Sequence, residues 1–155
     1  MITMASNTPR ATTLVICSLL LGCAPHPPDE SLRVRFFQHE ASFEKLVRIA
    51  PNFTWPENTE VPLSCQRWDE YRVLFRELGI EFGISRRDDV GVMLIVNSVG
   101  MISRGTSKGY AYSTEQLDPI VASLDEKGTQ PCGRRKDCIA FKRLKNNWYL
   151  FYEIA

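Results

Sequence analysis

Five cysteines and two histidines are the residues of this 155-residue chain best suited to chemistry. Their spacing restricts what they can do. A cysteine nucleophile needs an imidazole nearby as its base. His26 lies in a proline-rich run, so Cys65 with His39 is the sole candidate pair, and no motif surrounds either. A buried cysteine and a surface histidine are the expectation. A zinc site takes about four ligands, commonly in CxxC or HExxH spacing; neither spacing occurs, so no metal and no cofactor is expected. Carboxylates such as Asp69, Glu70, Asp88 and Asp89 are plentiful, but no spacing marks an acid–base pair. No catalytic residue is assigned.

Two further runs imitate binding motifs. Gly100-Met-Ile-Ser-Arg-Gly105-Thr-Ser107 has the glycine spacing of a phosphate-binding loop. Such a loop needs Lys after the second Gly and a helix beyond. Here Thr106 stands in that place and strand-like sequence follows, so the glycines read as turn residues. Gly109-Tyr-Ala-Tyr112 could present an aromatic strip to a ligand, or pack its tyrosines within a sheet.

The charge balance, 19 basic against 18 acidic residues, lacks the basic excess of a dedicated nucleic-acid binder. Locally, Arg134, Arg135, Lys136, Lys142, Arg143 and Lys145 crowd near the end with only Asp137 opposing them. They suit an anionic partner or a solvated loop and hairpin face.

The first residues carry an address. Met1–Arg10 is polar with one charge, Arg10. Ala11–Gly22 is an apolar run of roughly a dozen residues, the length of a signal-peptide core and short of the ~20 that span a bilayer. The run ends in Leu20-Leu21-Gly22-Cys23, which resembles the lipobox of bacterial lipoproteins. The resemblance implies cleavage before Cys23 and a diacylglycerol on its thiol. It makes residues 1–22 a lipoprotein signal peptide, later removed, and Cys23 the palmitate-type lipid attachment site. Ala24-Pro-His-Pro-Pro-Asp-Glu30 cannot continue a helix. Residues 23–30 are therefore expected to form a semi-rigid tether of roughly 20 Å. Ala24, in place of an Asp that resembles an inner-membrane retention signal, implies the outer membrane facing the periplasm.

Removing residues 1–22 takes away Arg10 and Cys17 and leaves a formally neutral chain. Cys65, Cys132 and Cys138 then enter an oxidising compartment. Cys132 and Cys138 flank the short loop Gly133–Asp137, and joining them stabilises by roughly 2 kcal/mol in the chain-entropy model. Pairing of Cys65 with either one stays open.

Residues 31–155 read as a single α+β domain: two N-terminal helices packed on an antiparallel sheet of four to five strands that ends in a C-terminal hairpin. The first helix is expected over 30–50, from the spacing of Leu32, Phe36, Phe43, Leu46, Val47 and Ala50, with a strand at 32–37 as the competing reading. The second, over 65–78, has the stripe Trp68, Tyr71, Leu74, Phe75, Leu78, with Gly79 free to adopt positive φ at its end. Strands follow at 90–96, 101–104 and 109–113, with a turn at 105–108. A short helix is expected at 115–124, and a hairpin joins 138–144 to 148–154 through Asn146-Asn147 in a type I′ turn. Trp68, Phe75, Leu78, Leu94 and Val96 are expected to share one core.

Trp68…Tyr71…Leu74-Phe75, Leu78-Gly79-Ile80, Ser107-Lys-Gly-Tyr-Ala-Tyr-Ser113 and Asn147-Trp-Tyr-Leu150 resemble small proteobacterial lipoproteins to which no activity attaches. The resemblance implies a folded, membrane-held domain and nothing about mechanism. The expected function is a lipid-anchored, non-enzymatic binding, inhibitory or accessory module of the cell envelope. Its partners would be the membrane, through Cys23, and an envelope protein or anionic surface, with no nucleic acid. The alternative is an envelope hydrolase with an unrecognised active site.

Overall fold

The computed structural model describes residues 26–50, 65–101, 104–125 and 137–155. Among them are three helices, α1 (Asp29–Gln38), α2 (Glu40–Ile49) and α3 (Cys65–Leu78). Five strands follow, β1 (Gly83–Arg87), β2 (Gly91–Met101), β3 (Arg104–Tyr112), β4 (Cys138–Lys145) and β5 (Trp148–Ile154). The strands form one antiparallel sheet in the order β1-β2-β3-β5-β4. The fold is α+β, as the sequence implied.

The helix expected over 30–50 is broken at His39. No apolar residue falls between Phe37 and Phe43 except Ala41, so nothing holds the middle of one continuous helix to the sheet. His39 leaves helical geometry (φ −125°, ψ 26°); its N–H closes α1, and its carbonyl accepts from Ser42 and Phe43 to start α2. The break lets Phe36 and Phe43 both reach Trp148, at ring separations of 5.2 and 5.5 Å, while Phe43 meets Tyr110 at 4.5 Å. The Tyr110 hydroxyl donates to the Leu32 carbonyl at 3.0 Å, tying β3 to α1.

Helix α3 ends as its sequence requires. Gly79 takes φ 65°, the Ile80 N–H bonds the Phe75 carbonyl at 2.8 Å, and Ile80 is buried; these are the marks of a glycine C-terminal cap. Tyr71, Leu74 and Leu78 are buried with Leu94 and Val96, and Phe75 packs half-buried against them. Trp68, expected in that core, is instead 41 % exposed. It lies three residues before Tyr71, on the flank of the stripe.

Alternation sorts the sheet. Leu94, Tyr110, Trp148, Leu150 and Tyr152 face the helices, while Met93, Ala111, Tyr149 and Phe151 pack on the other side with Leu117. β5 is covered on both faces, with Trp148, Leu150 and Tyr152 on one and Tyr149 and Phe151 on the other. β2 and β3 form one long hairpin, with Gly100 opposite Gly105 and Met101 opposite Arg104. The turn expected at 105–108 is therefore strand; of the separate strand expected at 101–104, Met101 ends β2 and Arg104 begins β3. Gly109 lies where β2 bulges between Ile95 and Asn97. A side-chain carbon there would sit 2.0 Å from the Leu94 carbonyl oxygen, so only glycine admits this approach.

The helix expected at 115–124 does not form. Residues 119–121 instead bond along the outer edge of β4: the Val121 N–H donates to the Phe141 carbonyl and the Phe141 N–H to the Pro119 carbonyl. An open strand edge offers these residues backbone partners that an isolated short helix could not match. The segment passes from Leu117 on one face of the sheet, round the β4 edge, to Leu124 on the helix face. At the β4–β5 turn only Asn146 has positive φ, and the register shifts between Arg143 and Lys145. The turn is bulged and not the expected type I′, which needs positive φ at both central residues.

Candidate functional site

The densest polar constellation among the described residues lies where the chain enters the domain. Strand alternation turns Lys108 of β3 to the same face as Tyr110, under the start of α1. Pro28 holds extended geometry (φ −60°, ψ 147°), and Asp29 opens the helix in its first turn. Asp125 arrives on the segment that rounds the β4 edge, and Lys142 projects from β4. Lys108 Nζ lies 2.7 Å from Asp29 Oδ1 and also pairs with Asp125. Lys142 Nζ lies 3.0 Å from Asp29 Oδ2, which accepts in addition from the Leu124 N–H at 2.9 Å. The Lys108 and Asp29 side chains are 2 % and 4 % exposed.

Each contact answers a need. Pro28 offers no side-chain cap to α1, and the first N–H groups of a helix have no partner within it. The Asp125 carboxylate supplies one by accepting from the Asp29 N–H at 2.7 Å. It also places negative charge at the positive end of the helix dipole. Burial pushes the Asp29 carboxyl up, but Lys108, the Leu124 N–H and Lys142 together hold it below the ordinary carboxylate value. Two ammonium groups thus answer two carboxylates; Lys108 and Asp29 are buried while Asp125 and Lys142 reach solvent, and removal of one buried partner is costly.

His26 extends the cluster toward the chain start. Its Nε2 is 2.7 Å from Thr106 Oγ1, and its ring meets Tyr152 edge-on at 5.4 Å. Burial lowers its pKa from the ordinary value; Asn97 beside it acts the other way, and Lys108 adds to the lowering. The run expected to be a tether as far as residue 30 is therefore seated on the domain from His26 onward. Pro28 does keep the backbone extended, but the run lies against Thr106 and Tyr152 through His26 and delivers Asp29 to its ion pairs.

An amine nucleophile works where its charge is left unanswered, whereas Lys108 sits between two carboxylates. What the cluster does is fix the path of residues 26–29.

The residues singled out from sequence are dispersed. Cys23 and Cys132 lie outside the described residues. Cys138 begins β4, half-buried, in register with Ile154. Cys65 begins α3, while His39 Nδ1 is 3.1 Å from Glu77 near the other end of that helix, about 18 Å along the axis at 1.5 Å per residue. The cysteine–histidine pair does not assemble. Ser42 also meets Glu77, at 2.6 Å, giving a serine, a histidine and a glutamate together. In a catalytic triad the serine donates to the imidazole; here both reach the same carboxylate, on the surface.

Tyr110 is fully buried and Tyr112 half-buried against Trp148, so the tyrosine run is packing and not an exposed strip. Of the basic residues near the end, Arg134, Arg135 and Lys136 lie outside the described residues. Lys142 pairs with Asp29, and Lys145 lies 2.5 Å from Glu40. Among the carboxylates, Asp69 is 3.9 Å from Arg72, Glu70 2.7 Å from Lys45, and Asp89 2.8 Å from Arg87. No group of three metal-ligating side chains occurs among the described residues.

Sequence reasoning missed His26, Asp29, Lys108 and Asp125. One signal was available: Lys108 falls in the alternating run Thr106, Lys108, Tyr110, Tyr112, and a lysine on the apolar face of a strand calls for a buried carboxylate. No family model, no curated protein and no solved structure matches the chain.

Proposed function

We propose that the chain is the precursor of a lipid-anchored protein of the bacterial cell envelope. Residues 1–22 direct export, and Cys23 becomes the acylated first residue. Ala24 directs the product to the outer membrane, where it faces the periplasm. The observation that carries this reading is the run Ala11–Cys23: an apolar segment of signal-peptide length ending in Leu-Leu-Gly-Cys. The seating of His26 and Asp29 supports it, because a chain cut before Cys23 keeps every residue that the entry cluster uses.

The body acts as a binding, inhibitory or accessory module and not as an enzyme. This part of the reading rests on how the polar groups are engaged. The buried Lys108 is answered by Asp29 and Asp125, and the serine–histidine–glutamate set lacks the order that catalysis needs. Arg134, Arg135 and Lys136, bracketed by a Cys132–Cys138 disulfide, are the contact offered to an anionic envelope partner.

The anchor is tested by replacing Cys23 with Ser, labelling cells with a fatty-acid probe and fractionating membranes. The wild-type protein takes the label and sediments with membranes; C23S does neither. Unchanged labelling and retention of C23S would overturn the reading.

A further inference from the structure

The docking of His26 leaves little chain between the body and Cys23. Three residue steps span at most about 11 Å when fully extended. The lipid on Cys23 is therefore confined to the neighbourhood of Thr106, which His26 contacts. Thr106 belongs to a cross-strand row in which Val99 lies opposite it on β2, Ile154 on β5, and Cys138 beyond on β4. The other end of the sheet is marked by Tyr112 opposite Trp148 and by the Ser113 N–H bonded to the Asn147 carbonyl. Six residues of β3 separate the two ends, about 20 Å at 3.4 Å per residue. A chain of three steps cannot carry the lipid to that far end.

Resting on the reading of Cys23 as the lipid anchor, we propose that the Val99–Thr106–Ile154 end of the sheet is seated on the phospholipid bilayer that holds the anchor. The charge next to this row, Glu153 opposite Ser107, is paired with Arg87 at 2.6 Å. Val99 is an apolar side chain left 41 % exposed beside the docking residue, and Thr106 offers no charge that must be desolvated. The Ser113–Asn147 end then points away from the membrane and is presented to partners. The entry cluster sets this orientation: a loose tether of roughly 20 Å would let the body tumble, whereas a short one pins one end down.

The test uses the processed protein, held by its own Cys23 lipid in phosphatidylethanolamine/phosphatidylglycerol nanodiscs that contain headgroup-spin-labelled lipid. Paramagnetic loss of amide signal is read by NMR at both sheet ends. The expected result is severalfold stronger loss at Val99, Thr106 and Ser107 than at Ser113 and Asn147. Equal loss at both ends, or stronger loss at Ser113 and Asn147, would overturn the orientation while C23S still failed to bind membranes. Membrane binding that survives C23S would overturn the anchor itself, and this inference with it.

Discussion

Lys108 Nζ lies 2.7 Å from Asp29 Oδ1, with both side chains almost closed to solvent. The pair joins the middle of β3 to the first turn of α1, and through Asp125 and Lys142 it draws in the β4 edge. Removing Asp29 leaves Lys108 and Lys142 short of a carboxylate and the Leu124 N–H without its acceptor. D29A should cost about 3–5 kcal/mol, read as a shift in urea midpoint. Glu30, next along the chain, pairs with Arg33 on the exposed surface, and its replacement by Ala should change the midpoint little. Equal effects at the two sites would show that the cluster does not hold the chain.

The same entry point should respond to acid in two stages. His26 has a lower pKa when docked than its ordinary 6.5, so the docked form binds fewer protons. Docking is then unimpaired above about 6.5 and weakens as pH falls below it. Asp29 is also held below its ordinary 3.8, so its contribution persists above that value and is lost only in stronger acid. An NMR titration of the His26 ring should give a midpoint under 6.5, with residues 26–28 loosening before the fold is lost. A midpoint at or above 6.5 would contradict the docked placement.

The core makes graded predictions. Leu94 of β2 is wholly buried in the core it shares with Leu74 and Leu78 of α3, and L94A should cost about 2–5 kcal/mol. Phe75, only half-buried, should cost less on truncation. Gly109→Ala forces a carbon against the Leu94 carbonyl and should cost about 3 kcal/mol or more, since backbone and not a movable side chain is in the way. Thermal melts of the three variants decide the order.

Much of the fold was legible because periodicity and end signals agreed. Helix α3, its Gly79 terminus and the two-faced β5 strand each follow from residue spacing that local chemistry and tertiary packing both favour. The failures have specific causes. Polar Thr106-Ser107-Lys108 looked like a turn, because the carboxylates that make a lysine tolerable inside a strand come from distant Asp29 and Asp125. β1 went unseen because Arg86 and Arg87 fill its second half, and an edge strand tolerates such polarity when its pairing to β2 supplies the stability. Arg87 also pairs with Glu153 of β5 at 2.6 Å, although β2 and β3 separate the two strands in the sheet; no local pattern announces such a contact. The entry site was hidden by its own prolines, which look the same in a free spacer and in a seated strap.

A disulfide between Cys132 and Cys138 is expected in the exported protein. The five residues between them include Gly133 and four charged side chains, giving a loop pliant enough for the demanding geometry of the bond. The bond would close just ahead of Ile139 in β4 and stiffen the entry to the final hairpin. Peptide mapping without reduction should find the 132–138 linkage. A Cys65-linked peptide, or free thiols at both positions, would refute it.

The central claim is that Cys23 is the acylated start of the mature protein. The measurement that meets it most directly is the mass of the N-terminal peptide of the protein purified from bacterial membranes. The account predicts a peptide that begins at Cys23 and carries a diacylglycerol on its sulfur. A peptide that begins upstream of Cys23, or one with an unmodified thiol there, would contradict it.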